Sequence, residues 1–162
     1  MVETAHGLLD QRPELDFANP VTTLSAGTIQ QSGRTNVADL LQQSPALLGS
    51  LTGDLTAGSN PNFGEAGLNL LDLRNLGTDR TLVLVDGRRH VAGLAGSAAI
   101  DIDAIPTDLI ESVDVLTGGA SAIYGADGVS GVVNFRLKHN LDGLTIRAQS
   151  GISKYGDGAN QF

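Results

Sequence analysis

Glycine punctuation sets the limits on what this chain can fold into. It supplies 21 of the 162 residues, and its clusters cut every apolar pattern short. A long helix needs an uninterrupted apolar face, and none is available here. The predicted elements are therefore brief. Residues 21–24 read as a short strand after the Asn19-Pro20 break. Ser25 caps a helix running to Ser32, and Gly33 suits its left-handed stop. Asn36 caps a second helix, with Val37, Leu40 and Leu41 on one face and Pro45 ending it. Residues 49–67 carry five glycines and Asn60-Pro61 with no period, and read as one long loop. Leu71 and Leu73 alternate with Asp72 and Arg74, which predicts a half-buried strand. Residues 82–85 form a continuous apolar run, so that strand is expected to be covered on both faces. Asp86-Gly87 turns the chain, and residues 90–99 form a second loop of small residues.

Pro106 opens a short helical turn, and residues 110–116 read as a strand. Gly118-Gly119 breaks it, Ser121 to Tyr124 make one helical turn, and Gly125 stops that turn. Residues 132–137 are the last strand of this region. The fold class is α+β: a small mixed sheet with short helices and two long loops. Residues 1–20 are polar and read as an arm or linker.

Composition removes several function classes. The net charge of −8 lacks the basic face that nucleic-acid binding requires. Apolar residues at 41% suffice for one core, and charged residues at 17% argue against a disordered acidic chain. With no Cys there are no disulfides, thiolate metal sites or Cys nucleophiles. Aromatics at 4% are sparse for a stacking platform. No apolar run has the length of a membrane helix. The first residues have neither a basic n-region nor an apolar h-region, so they are not a signal peptide; the protein stays in the cytoplasm or its leader lies outside this sequence.

No enzyme motif survives its context test. The glycines at 118–119 and 125–131 lack the Gly-Lys-Ser/Thr of a phosphate loop and the spacing of a dinucleotide loop. Asp101, Asp103 and Asp108 lack the spacing and terminal Glu of a calcium loop, and read as a solvated acidic turn. His6, His90 and His139 do not share ligand spacing. Ser121 lacks a nucleophile elbow, so a triad with His90 has no support. No catalytic residue, cofactor or metal site is expected. Glu111 shares strand parity with Val113 and Val115, which aims it at an apolar face where a carboxylate needs a partner. The alternative places it at a wet strand end. In the tail, Leu144, Ile146 and Ala148 alternate with Thr145, Arg147 and Gln149. That pattern fits a membrane-barrel strand or an amphipathic edge strand of a soluble sheet.

Three stretches, taken in order, resemble one family. They are NPVTTLSAGTIQQSGRTNVADLLQQSP, LDLRNLGTDRTLVLVDGRR and IPTDLIESVDVLTGGASAIYGADGVSGVVNFRLK. Together they resemble the plug domain of TonB-dependent outer-membrane receptors, and the most specific block is residues 110–134 with its Gly-Gly-Ala-Ser-Ala-Ile-Tyr-Gly core. The resemblance implies a barrel of about twenty-two strands with a plugged lumen. It divides the chain into an arm (1–18), a plug (19–140) and the start of the barrel (141–162), with a lone barrel-type strand near residues 143–151. Fewer than twenty residues follow Gly143, whereas each barrel strand needs about ten. The expectation is a receptor fragment, a truncated and non-functional reading frame, or a plug standing alone.

The implied function is to gate an outer-membrane transporter and to help bind and take up a scarce nutrient such as a siderophore-type metal chelate. The implied partners are the chain's own C-terminal β-barrel, the energising TonB protein and that small molecule, with no nucleic acid. The alternative is a free-standing periplasmic binding module with the same fold. The long loops are expected at the apex, facing ligand, with Asn60, Asn62, Phe63, Arg88, Arg89 and His90 as candidate contacts. A space-filling or charge-pairing role is the other reading of each. Arg74 falls at the family's plug-to-barrel latch position, and with Glu111 it is assigned to that latch. Two features depart from the family. Val2-Glu3-Thr4-Ala5-His6-Gly7 stands before Arg12-Pro13 where an apolar Val-Val-Thr-type TonB box is usual. Thr117 stands where Lys or Arg often follows the strand.

Overall fold

The computed structural model describes residues 21–32, 36–56, 66–118, 120–139, 149–152 and 158–161. The arm, the Gly33 stop and residues 57–65 lie outside them. Among the described residues, the main sheet has five strands: β1 (Val21–Ser25), β2 (Thr81–Val85), β3 (Arg88–Arg89), β4 (Ile110–Thr117) and β5 (Gly131–Leu137). Their spatial order is β1-β4-β5-β2-β3. The β2/β5 pair is parallel and the others are antiparallel.

Local chemistry explains most boundaries. The Ser25 side chain caps α1 (Ala26–Gln31) by accepting from the Thr28 amide. Asn36 Oδ1 accepts from the Ala38 amide at 2.8 Å and starts α2 (Val37–Leu41). The next turn, Pro45–Leu47, begins on the proline that α2 could not pass. Asp86 and Gly87 have φ of 50° and 72°, the mirror-image turn that matches strand twist in a two-residue hairpin. They join β2 to β3. After β4, α4 (Ser121–Tyr124) stops at Gly125, whose φ is 83°.

The central strands are apolar on both faces because both faces are covered. Val83, Val113, Val115, Val133 and Phe135 look into the larger core, closed by Ile29 of α1, four residues of α2, and Leu71, Leu73 and Ile102 from the loops. Leu82, Leu84, Leu116 and Val132 on the opposite face form a second core with Ala120, against which Tyr124 packs.

Four expectations are corrected. Residues 49–67 are not all loop: Leu51 bridges Leu70, and α3 (Gly53–Thr56) follows. Residues 71–74 are not a strand. Leu71 and Leu73 are buried while Asp72 and Arg74 are not, so the alternation holds, but Leu73–Asn75 is a 3₁₀ turn rather than part of a paired strand. Arg74 and Asn75 then take left-handed φ of 60° and 56°, while Asp72 Oδ1 closes the loop by accepting from the Gly77 amide at 2.8 Å. Glu111 does not face the core. It is exposed because it is the extra residue of a bulge between Ile110 and Ser112, and one inserted residue reverses strand parity. Finally, the tail strand is not lone. β6 (Gln149–Ile152) pairs antiparallel with β7 (Gly158–Gln161), which meets the backbone groups an isolated strand would leave open. Residues 140–148, which include most of the expected alternation, lie outside the described residues.

Candidate functional site

The two long loops share one foundation. Leu70 exchanges hydrogen bonds with Leu51, both at 2.8 Å, and also bridges Asp101. The two ends of the first loop meet at Thr56, whose hydroxyl accepts from the Gly67 amide at 3.1 Å and lies 3.1 Å from the Leu68 carbonyl. The second loop is closed by the Gly93 amide donating to the Ala99 carbonyl at 2.9 Å. It is tied to the Thr78–Arg80 turn through Asp79, which accepts from the Ser97 hydroxyl and from the Ala98 amide. Val91, just before this closure, is 80% exposed.

Side chains on the loop bases complete the foundation. Asp101 Oδ1 accepts from the Asn69 and Asp103 amides at 3.1 and 3.2 Å. Asp103 accepts from the Asn36 amide group at 3.1 Å and from that of Asn69. These carboxylates of the acidic turn therefore serve as caps and cross-ties. Among the described residues no group of three or more His, Cys, Asp or Glu is placed to hold a metal ion.

The predicted ligand contacts separate. Arg88, Arg89 and His90 are all exposed on or just after β3. Arg89 pairs with Asp127 and donates to the Tyr124 carbonyl at 2.7 Å, so it staples α4 and the turn after it to the sheet edge. Arg88 has no such tie among the described residues, and the His90 ring lies 3.4 Å from the Val91 carbonyl. Asn60, Asn62 and Phe63 lie outside the described residues. Burial raises the Tyr124 phenol above its ordinary 10.0, because ionisation beside the second core loses hydration.

The two latch candidates are both exposed, and neither is joined to the other among the described residues. The Arg74 turn is nonetheless tightly held. Leu73 is fully buried, its amide donates to Thr81 Oγ1 at 2.9 Å, and Gly49 leaves the space that the Asn75 amide group fills. Thr117, the position that departs from the family, is half-buried at the end of β4.

Asp127, Asn69 and Thr56 escaped sequence reasoning. Asn69 had a signal: a lone amide in the run Leu68-Asn69-Leu70-Leu71 must bury and find partners. Asp127 and Thr56 had none, since their partners are set by the fold.

A family model described as TonB-dependent Receptor Plug Domain matches residues 13–132. Among solved structures, the siderophore receptor PiuA from Acinetobacter baumannii is 26% identical with a TM-score of 0.57, over 82% of this chain and 16% of that one. A double mutant of the ferric enterobactin receptor PfeA from Pseudomonas aeruginosa is 26% identical with a TM-score of 0.54, over 85% of this chain and 19% of that one. The siderophore receptor PirA from Acinetobacter baumannii is 25% identical with a TM-score of 0.54, over 83% and 18%. This chain thus spans less than a fifth of each of these receptors.

Proposed function

The chain belongs to the TonB-dependent receptor plug domain family, and from that premise we propose that it gates an outer-membrane active transporter. In this reading residues 19–140 fill the lumen of a barrel that begins within residues 141–162, and residues 1–18, whose TonB box is degenerate or missing, are the arm that TonB would reach from the periplasm. Transport follows from movement of the plug rather than from bond chemistry. The observation that carries the reading is the family match across residues 13–132, which runs from the arm into β5. The domain it covers is a small mixed sheet, not a closed barrel.

The cargo in this proposal is a siderophore-type metal chelate, the class of ligand named for the receptors this chain resembles. The two loops with a common foundation would meet it, through Asn60, Asn62 and Phe63 on one and Arg88 and His90 beside the other. Arg89 is kept among the contacts, with part of its charge already used by Asp127. Arg74 and Glu111, both exposed, would reach carboxylates and cations of the barrel wall. The test is exclusion of a bulky antibiotic by cells carrying a receptor barrel stripped of its own plug. Fusing this chain ahead of that barrel is expected to restore resistance. Persistent sensitivity with the fusion folded and present in the membrane would overturn the proposal.

A further inference from the structure

Arg74 and Asn75 follow one another in the left-handed region, at φ of 60° and 56°. Asn tolerates that conformation, whereas Arg sets its Cβ against the following carbonyl. Such strain persists only where the surroundings over-determine it. Here they do. The Asp72 amide donates to Ser50 Oγ at 3.1 Å, and Ser50 is 1% exposed. The Leu73 amide donates to Thr81 Oγ1 at 2.9 Å. The Asn75 amide group fills the space that Gly49 leaves. The chain is pinned on both sides of Arg74, whose side chain stays exposed.

The Thr81 pin belongs to a relay, and counting protons gives its direction. Each hydroxyl has one proton to donate. That of Ser130 goes to the Arg80 carbonyl at 2.7 Å. The 3.1 Å contact between the Thr81 and Ser130 hydroxyls therefore uses the Thr81 proton. The Gly77 carbonyl, at 3.4 Å, is the weaker acceptor. A lone pair of Thr81 is then aimed at the Leu73 amide. Thr81 is 3% exposed, Ser130 1% and Leu73 0%, so water does not compete, and a satisfied buried network fixes geometry. The relay runs from the turn, through the first residue of β2, to the residue that precedes β5.

We propose that Thr81 is a positioning residue: oriented by Ser130, it holds Arg74 left-handed, so that the guanidinium stands at the domain surface for the barrel wall. The inference rests on the latch role proposed above for Arg74. Its claim about the backbone needs no barrel to test. In the full 162-residue chain, NMR reads φ at residue 74, because a positive φ brings the residue's own amide proton and Hα together and gives a strong cross-peak between them. The unmodified chain is expected to show it. Thr81→Val keeps the shape but removes the acceptor, and is expected to lose the cross-peak. Thr81→Ser keeps the hydroxyl and is expected to retain it.

Urea unfolding adds a readout that a merely structural Thr81 would not move. Arg74→Gly relieves strain only while the turn is held left-handed. It should therefore shift the midpoint upward by more in the unmodified chain than in Thr81→Val. Equal shifts in the two backgrounds would overturn the proposal. So would a cross-peak that survives in Thr81→Val or is lost in Thr81→Ser. If Thr81→Val gives no folded spectrum, Ser130→Ala decides. It keeps Thr81 but turns its proton to the Gly77 carbonyl, so the cross-peak should weaken, and an unchanged one refutes the relay. Failure here would leave the latch and gating readings standing, since both concern a barrel that this experiment does not contain.

Discussion

Gly131 is where the sheet is least forgiving, and Gly131→Ala is the sharpest probe of its packing. Gly131 opens β5 with φ of 142°, and a Cβ there would lie 2.3 Å from the Leu116 carbonyl oxygen and 2.4 Å from Leu73 Cδ2. Two costs combine. The backbone conformation costs an L-residue about 1–3 kcal/mol. The overlap with a strand carbonyl and a fully buried Leu adds roughly 1–3 kcal/mol of overpacking. The sum, about 2–6 kcal/mol, is a large share of the ~5–15 kcal/mol that holds an ordinary domain together. Gly96→Ala is the matched control. Its φ is 81° with nothing within 4 Å of the added carbon, so only the left-handed cost of about 1–2 kcal/mol applies. Urea titration followed by circular dichroism reads both. Gly131→Ala should show a much lower midpoint, or no folded baseline, while Gly96→Ala keeps a clear transition. Equal stability of the two variants would refute the packing of Leu73 against the β4–β5 ladder, and with it the account of what holds Arg74 in its left-handed turn.

Three further outcomes follow from the same contacts. Thr23→Val removes the hydroxyl that donates to Asp114 Oδ1 at 2.7 Å; with that carboxylate 6% exposed, a loss of about 1–3 kcal/mol in urea unfolding is expected, and none would contradict the contact. Arg89→Ala should cost little, because its pairing with Asp127 is half exposed and such pairs give about 0–1 kcal/mol. It should nevertheless speed amide exchange in α4, and unchanged exchange there would count against the staple. Tyr124, with its pKa raised by burial, should ionise above 10 in an ultraviolet titration. Since the folded value exceeds the unfolded one, its stabilising contribution is complete below pH 10 and is lost as pH rises through the folded value. Tyr124→Phe should remove that step, and a Tyr124 phenol titrating at its ordinary value would contradict the packing.

What could be read from sequence was what neighbours in the chain decide. Ser25 and Asn36 announce their helices because a cap acts within three residues. Asp86-Gly87 announces its hairpin, and Gly125 the end of α4. The strands at 82–85 and 132–137 were readable as apolar runs, although covering both faces takes two separate cores that no local pattern reveals. Where distant contacts decide, the reading failed. Arg74 and Asn75 adopt a conformation usually left to glycine because Leu73, Thr81 and Gly49 hold the turn. Strand parity leaves Glu111 open between an apolar face and a wet strand end, because a period of two does not register an inserted residue. In the candidate site, the loops were visible from their glycines, whereas Arg89 finds Asp127 across 38 residues of sequence. Asn69 finds Asp103 across 34.

Single-channel conductance in a planar bilayer tests the central claim most directly. A receptor barrel lacking its own plug should pass a large steady current, and the same barrel carrying this chain at its N-terminus should be silent. A fusion that is folded and inserted yet conducts as freely as the empty barrel would show that this domain is not a gate.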